Sequence, residues 1–223
     1  MKTDQDIASL ENEVRQATAE GHEVQEAVRQ LTVRELSQSA PDSVGLRQIV
    51  GAVLRGARAG VRKELQQSAA EAQATRRQLS EAVAGLDAAL AQFAGAAKLA
   101  LEEAASHARE FSVEDLESTA ADLAHLETML IETLQSVAAD SRDLAGEIFA
   151  DLAAHFSRHG SAVGEASKNT LAAITQRVTA SARGPARAGA QLVQATSSVL
   201  RQLTAEVLSR LAERIRPESG RKP

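Results

Sequence analysis

The sequence predicts an all-α protein, an elongated antiparallel bundle of long amphipathic helices with coiled-coil-like packing. Three observations lead there. Apolar residues recur every three or four positions over most of the chain, the spacing that stacks side chains on one face of a helix. Alanine supplies 45 of the 223 residues, Trp, Tyr and Cys are absent, and Phe occurs only at 93, 111, 149 and 156. Leu, Val and Ala must therefore pack along narrow seams, without the large contact area that aromatic rings bring to a compact core. The rest is rich in Leu, Glu, Gln and Arg, the composition of long helices.

Each element follows from local signals. Ile7, Leu10, Val14 and Ala17 form one stripe, resumed after Gly21 by Val24, Val28, Leu31 and Leu36. Residues 1–40 are read as an N-terminal helix over 4–37, bent at Gly21. It ends before Pro41, because the residue preceding proline is pushed out of α geometry. Ser43 can cap the next helix through its side-chain oxygen. Its stripe runs through Leu46, Val50, Val53, Ala57, Val61, Leu65, Ser68 and Ala72, then Leu79, Val83, Leu86, Leu90, Phe93 and Ala97 in four-three alternation. That alternation is a heptad seam, with Arg76 a poor fit. One helix over about 43–110 would span on the order of 100 Å, with Gly85 and Gly95 as the expected bends. Ser112 is a good N-cap followed by Glu114 and Asp115, acids that suit a helix N-terminus. The helix over 113–158 carries Leu116, Ala120, Leu123, Leu130, Leu134, Val137, Leu144, Ile148, Leu152 and Phe156, and closes at Gly160. Helices over 161–183 and 186–216 follow, divided by Gly184-Pro185, with Pro185 suited to a first turn. Residues 41–216 are thus one long-helix bundle and 217–223 a disordered tail. No strand pattern competes. Short turns favour antiparallel neighbours, so helix 4–37 is expected to lie back along 43–75.

Net charge is −5, but the charges are segregated. Residues 1–40 hold four bases and eight acids, 41–80 seven and three, 81–160 four and fifteen, and 161–223 ten and four. An acidic middle between basic flanks fits helices of opposite sign lying side by side, or a basic stretch facing an anionic surface. Without cysteine there is no disulfide framework or thiolate metal site. The start, Met1-Lys2-Thr3-Asp4-Gln5-Asp6, has neither the basic nor the apolar region of a signal peptide, and no apolar run is long enough to span a bilayer. A cytoplasmic protein without a transmembrane segment is expected.

Few residues suggest chemistry. Gly51, Gly56 and Gly60 superficially resemble a phosphate loop, yet the Lys-Ser/Thr of that loop is missing and no strand precedes it; small residues there suit close helix approach. Asp151, His155 and His159 recur at four-residue steps, a spacing at which carboxylate and imidazole can share a metal ion, although histidines near a helix C-terminus are also favoured by its dipole. The acids of 102–151 read as a solvated face, since paired catalytic carboxylates need a partly dry pocket to separate their pKa values. No catalytic residue, cofactor or resident metal is expected. One stretch stands out. Arg47, Arg55, Arg58 and Arg62 fall within about 80° on a helical wheel, opposite Leu46, Ile49, Val50, Val53, Ala57 and Val61. Such a basic amphipathic helix can lie in a lipid interface or a partner's groove, or it can bury its apolar side in a bundle and leave its arginines in water. Arg183, Arg187, Arg201, Arg210, Arg214 and Arg216 make the C-terminal region basic, but stacking aromatics are missing there, which argues against nucleic acid.

Ala-rich amphipathic helices with few aromatics, together with Phe111-Ser112-Val113-Glu114-Asp115-Leu116, resemble phasins, the bacterial proteins that coat polyhydroxyalkanoate granules. The resemblance covers about residues 80–183. The N-terminal third departs from it, and its Gly51–Gly60 region is similar to an uncharacterised bacterial all-helical family. The phasin resemblance implies an amphiphilic coat on a hydrophobic particle, often oligomeric. The expectation is a non-enzymatic protein that associates with a lipid-like surface such as a storage granule. The alternative is a self-associating coiled-coil scaffold or adaptor.

Overall fold

In a computed structural model the described residues are 4–61, 69–106, 110–111, 113–183, 194–195 and 197–215. They form eight helices: α1 (Asp4–Glu20), α2 (Val24–Ser39), α3 (Ser43–Val61), α4 (Ala69–Ser106), α5 (Val113–Ala139), α6 (Leu144–His159), α7 (Ala162–Arg183) and α8 (Ser197–Ile215). A two-residue parallel pairing, Glu110 with Gln194 and Phe111 with Ala195, joins β1 (Glu110–Phe111) to β2 (Gln194–Ala195). The protein is an all-α bundle. Two extended residues on either side amend the strand-free expectation without adding a layer.

From α1 to α6 chain neighbours run antiparallel, while α7 continues in the direction of α6; the most extensive contacts join helices that run the same way. In the α1–α2 hairpin, Arg34 reaches back to Glu13 at 2.7 Å. Gly56 meets Glu11 and Val14, and Gly60 meets Arg15, Thr18 and Ala19, so α3 lies alongside α1 in the same direction. Gly85 sits on Gln25 while Arg29 bonds Gln92, which aligns α2 with α4. Arg47–Glu132 and Arg58–Asp143 align α3 with α5. Arg76–Asp151 and the Thr170 hydroxyl on the Ala94 carbonyl align α4 with α6 and α7. Thus α1, α3 and α5 point one way, and α2, α4, α6 and α7 the other. α8 packs mainly on α4 and α2.

The stripes close on one another in a single core. Leu46, Val50, Val53, Ala57 and Val61 of α3, Leu79, Val83, Leu86, Leu90, Phe93 and Ala97 of α4, and Leu116, Leu123, Leu130, Leu134 and Val137 of α5 are all buried. Thr18, Thr32, Thr133 and Thr204 lie among them. Each hydroxyl donates to the carbonyl four residues earlier, at 2.7–2.9 Å, so the dry core leaves none of these groups unsatisfied. Glycine sets the closest approaches. A Cβ at Gly56 or Gly60 would strike the backbone of α1, and one at Gly85 the backbone of α2.

Four expected elements differ. The helix over 4–37 is two helices. Gly21 takes φ +69° and Glu23 φ +49°, the left-handed region that reverses a chain and costs a non-glycine residue energy. Helix 4–37 therefore does not lie back along 43–75; α1 follows α3. The rod over 43–110 is α3 and α4, which run in opposite directions, while residues 62–68 fall outside the described set. α4 itself continues through Gly85 and Gly95; Gly85 admits α2 and Gly95 has open space beside it. The helix over 113–158 divides at Asp140–Asp143, where Asp143 caps α6 by accepting from the Gly146 N–H at 3.2 Å. The helix expected over 186–216 begins at Ser197. The cap assigned to Ser112, the first-turn position assigned to Pro185 and the tail 217–223 lie outside the described residues.

Candidate functional site

Arg47, Arg55 and Arg58 of the basic face lie on α3, whose apolar side is committed to the core. Arg47 meets Glu132 of α5 at 3.4 Å, Arg55 meets Glu11 of α1 at 2.9 Å, and Arg58 meets Asp143 at 3.3 Å. Arg62 lies outside the described residues. Arg47 and Arg55 therefore stitch α3 to its two same-direction neighbours, and Arg58 ties it to the residue that caps α6. Arg76–Asp151 and Arg210–Glu103 (3.1 Å each) do the same for α4 with α6 and α8. Four of these five pairs join a basic flank to the acidic middle, which accounts for the charge segregation. All but Arg58–Asp143 are well exposed, so each contributes about 0–1 kcal/mol.

Asp151, His155 and His159 do share one stripe of α6. The imidazoles stand with ring centroids 4.8 Å apart, and His155 also faces the Phe156 ring at 6.2 Å. Asp151 is directed to Arg76. No group of three or more ligand-type side chains converges among the described residues.

One polar cluster, between α4, α5 and α7, was not singled out by the sequence. Asp87 of α4, 7% exposed, and Glu127 of α5 converge on the start of α7. Ala162 N–H donates to Asp87 Oδ2 and Val163 N–H to Oδ1, each at 2.9 Å. Ser161 donates to Glu127 Oε1 twice, from its N–H at 2.9 Å and its hydroxyl at 2.7 Å. The first N–H groups of a helix have no intrahelical partner and carry its positive dipole end, which is why two carboxylates can share this place. Gly164 leaves room for them, because a Cβ there would displace the Glu127 carboxylate. Burial pushes the Asp87 carboxyl above the ordinary Asp value; the two N–H bonds oppose this and the charge of Glu127 adds to it. Asp122 is raised as well, first by burial, with Arg201 opposing and Asp42 reinforcing. On α2, the bond from Arg29 holds Glu26 below its ordinary value.

At the free ends of the α1–α2 hairpin an open groove of about 980 Å³ is lined by Ser9, Glu13, Arg34, Gln38, Gln48 and Arg201, among others. Its walls are polar, and Arg34 is already engaged by Glu13. A small cleft of about 30 Å³ lies between Phe93, Leu123, Leu126 and Leu200. No described helix is long and apolar enough to cross a membrane.

Fold and site together define an all-α bundle with a buried carboxylate clasp and a surface of paired charges. Residues 1–217 match a family of unknown function, DUF6781, and the chain belongs to that family. No curated protein matches the chain. No solved structure matches it either.

Proposed function

We propose that this is a non-enzymatic amphipathic helical protein whose bundle opens to lay its apolar stripes on a hydrophobic or lipid-like surface, such as a storage granule. One observation carries the proposal: the stripes cover one another within a single chain. Among the described residues only Val44 (64%) and Leu99 (42%) are large, apolar and exposed. A permanent coiled-coil scaffold needs an uncovered seam for its partner, whereas a surface-active bundle needs seams that are covered in water and separable on contact. The seams are thin. On the inward side of α4, Ala82, Ala89, Ala94, Ala96, Ala97 and Ala100 alternate with the larger residues. Alanine buries little area at roughly 25 cal/mol per Å², so exchanging a neighbouring helix for a lipid-like surface costs little. Leu79–Ala97 and Leu116–Phe156 are the stripes that would meet the surface, with Phe93, Phe149 and Phe156 as their bulkiest contacts.

Flotation with phospholipid vesicles or polymer granules tests this. The protein should co-migrate, with its helicity retained. Absence of co-migration at every lipid ratio removes the proposal. A self-associating scaffold is the second reading, favoured by Leu99 lying one turn from Gly95, beside which there is open space. A salt-insensitive oligomer indifferent to lipid in light scattering would favour that reading over the first.

A further inference from the structure

The elements of the bundle are not held equally. α5 is anchored by Leu116, Leu123, Leu126, Met129, Leu130, Leu134 and Val137. α7, nearly as long, buries only Val163 and Ile174 among its large described apolar side chains, and turns Gly164, Ser167 and Thr170 inward with them. The Ser167 hydroxyl is buried with no hydrogen-bond partner among the described residues. Polar contacts replace the missing grease: the Thr170 hydroxyl donates to the Ala94 carbonyl at 2.9 Å, and the first three residues at the α7 start bind Asp87 and Glu127.

We propose that Asp87 and Glu127 are a latch that holds α7 on α4 and α5, and that α7 is the first helix to leave the bundle, pivoting at Gly160–Ser161. The role of this release in surface binding rests on the function proposed above; the latch itself does not. The pivot is already built. Gly160 adopts φ +78° and ψ 176°, outside helical geometry and accessible chiefly to glycine, between two helices that follow α4 in one direction. α7 also keeps a cap of its own after release, because the Ser161 hydroxyl accepts from the Gly164 N–H at 3.1 Å. Helix and pivot survive detachment; only contacts between elements are lost. The two carboxylates favour neither state strongly. They repel one another and are held together by the N–H groups and positive end of α7, and once α7 leaves the buried Asp87 and the half-buried Glu127 both hydrate. The elevated proton affinity of Asp87 agrees with that opposition. Dry Leu–Ala seams offer no comparable release, since separating them exposes apolar area with nothing polar to gain.

Hydrogen exchange on the full chain, without lipid, reads the latch directly. Glu127→Ala removes the acceptor of both Ser161 bonds, and Asp87→Asn leaves one of its two backbone donors unpaired. Leu10→Ala, in the α1 core, serves as a control that destabilises elsewhere. The latch predicts that amides of α7 lose protection by roughly tenfold or more, the equivalent of one hydrogen bond to a charged group, while α1 and α3 keep theirs. Should Asp87→Asn fail to fold, Gly164→Ala, which displaces the Glu127 carboxylate, must give the same α7-selective loss. Exchange that is unchanged, or that rises equally in α1 and α7, overturns the latch. Vesicles of neutral phospholipid then separate the two proposals. α7-selective exchange with faster adsorption of Glu127→Ala supports both; α7-selective exchange with no adsorption by either protein leaves the latch standing and removes the surface function.

Discussion

Gly85 and Gly95 occupy the same helix ten residues apart and should respond to the same substitution with opposite signs. A methyl group at Gly85 would drive into the Gln25 carbonyl oxygen, with the Gln25 carbonyl carbon and Arg29 nitrogen 3.1 Å away. All three are backbone atoms of α2, which cannot rotate aside, so α2 must move. Overpacking of this kind costs about 1–3 kcal/mol, and more where the obstacle is backbone. Ala restores about 1 kcal/mol of helix propensity over Gly. The net expected for Gly85→Ala is a loss of about 2 kcal/mol. At Gly95 a Cβ meets nothing within 4 Å, so Gly95→Ala keeps the propensity gain of up to about 1 kcal/mol. For a chain of this length each kcal/mol moves Tm by about 2–4 °C. Gly85→Ala should therefore melt about 4–8 °C lower than wild type and Gly95→Ala a few degrees higher. The chain has no Trp or Tyr, so the assay is urea and thermal unfolding followed by circular dichroism at 222 nm. A Gly85→Ala protein as stable as wild type, or two shifts of one sign, would refute the close α2–α4 approach.

Three further expectations follow from packing and charge. Leu130→Ala, at a fully buried position of α5, should cost about 2–5 kcal/mol by cavity formation, measured by the denaturant midpoint; a loss under about 1 kcal/mol would mean that the seam refills. Arg55→Ala breaks the exposed pair with Glu11 and should cost at most about 1 kcal/mol, shrinking towards zero in 1 M salt; a larger, salt-insensitive loss would contradict the assignment of α3's arginines to surface stitching. Burial holds Asp87 above its ordinary value, so the folded chain binds this proton more readily than the unfolded one. Its stabilising contribution is present below the unfolded value of roughly 3.9 and is lost as pH rises through the folded one. Asp87→Asn lacks that dependence, so wild type should gain stability relative to the variant as pH falls from about 7 to about 4, and a difference that is flat or reversed contradicts the raised proton affinity of the buried Asp87.

What the sequence revealed and what it concealed divide by distance along the chain. The Leu79–Ala97 stripe was legible because its period is local, and every member is buried. The turn at Asp140–Asp143 was hidden because Val137 and Leu144 stand seven residues apart, so the heptad rhythm crosses the break undisturbed. The same holds for the rod over 43–110: Leu65, Ser68 and Ala72 extend its stripe past the end of α3. Gly56 and Gly60 could be read as close-approach positions, but the helix they receive could not. The Asp87 clasp was out of reach because its partners lie 75 and 76 residues away. Two signals pointed towards it: an acid beside Leu86 on the inward side of a Leu–Ala stripe, and Gly160-Ser161 opening a helix with unfilled N–H groups.

On the function proposed above, the seams must separate before this protein can cover a hydrophobic surface. Because the chain has no cysteine, cysteines at Arg47 and Glu132, and at Arg76 and Asp151, can be bridged by a short reducible bis-maleimide at exposed ion pairs, tying α3 to α5 and α4 to α6. Flotation with phospholipid vesicles before and after cleavage of the linkers is the most direct test. The locked protein should remain in the aqueous fraction and the cleaved protein should float; equal flotation of both would mean that the closed bundle binds as it stands.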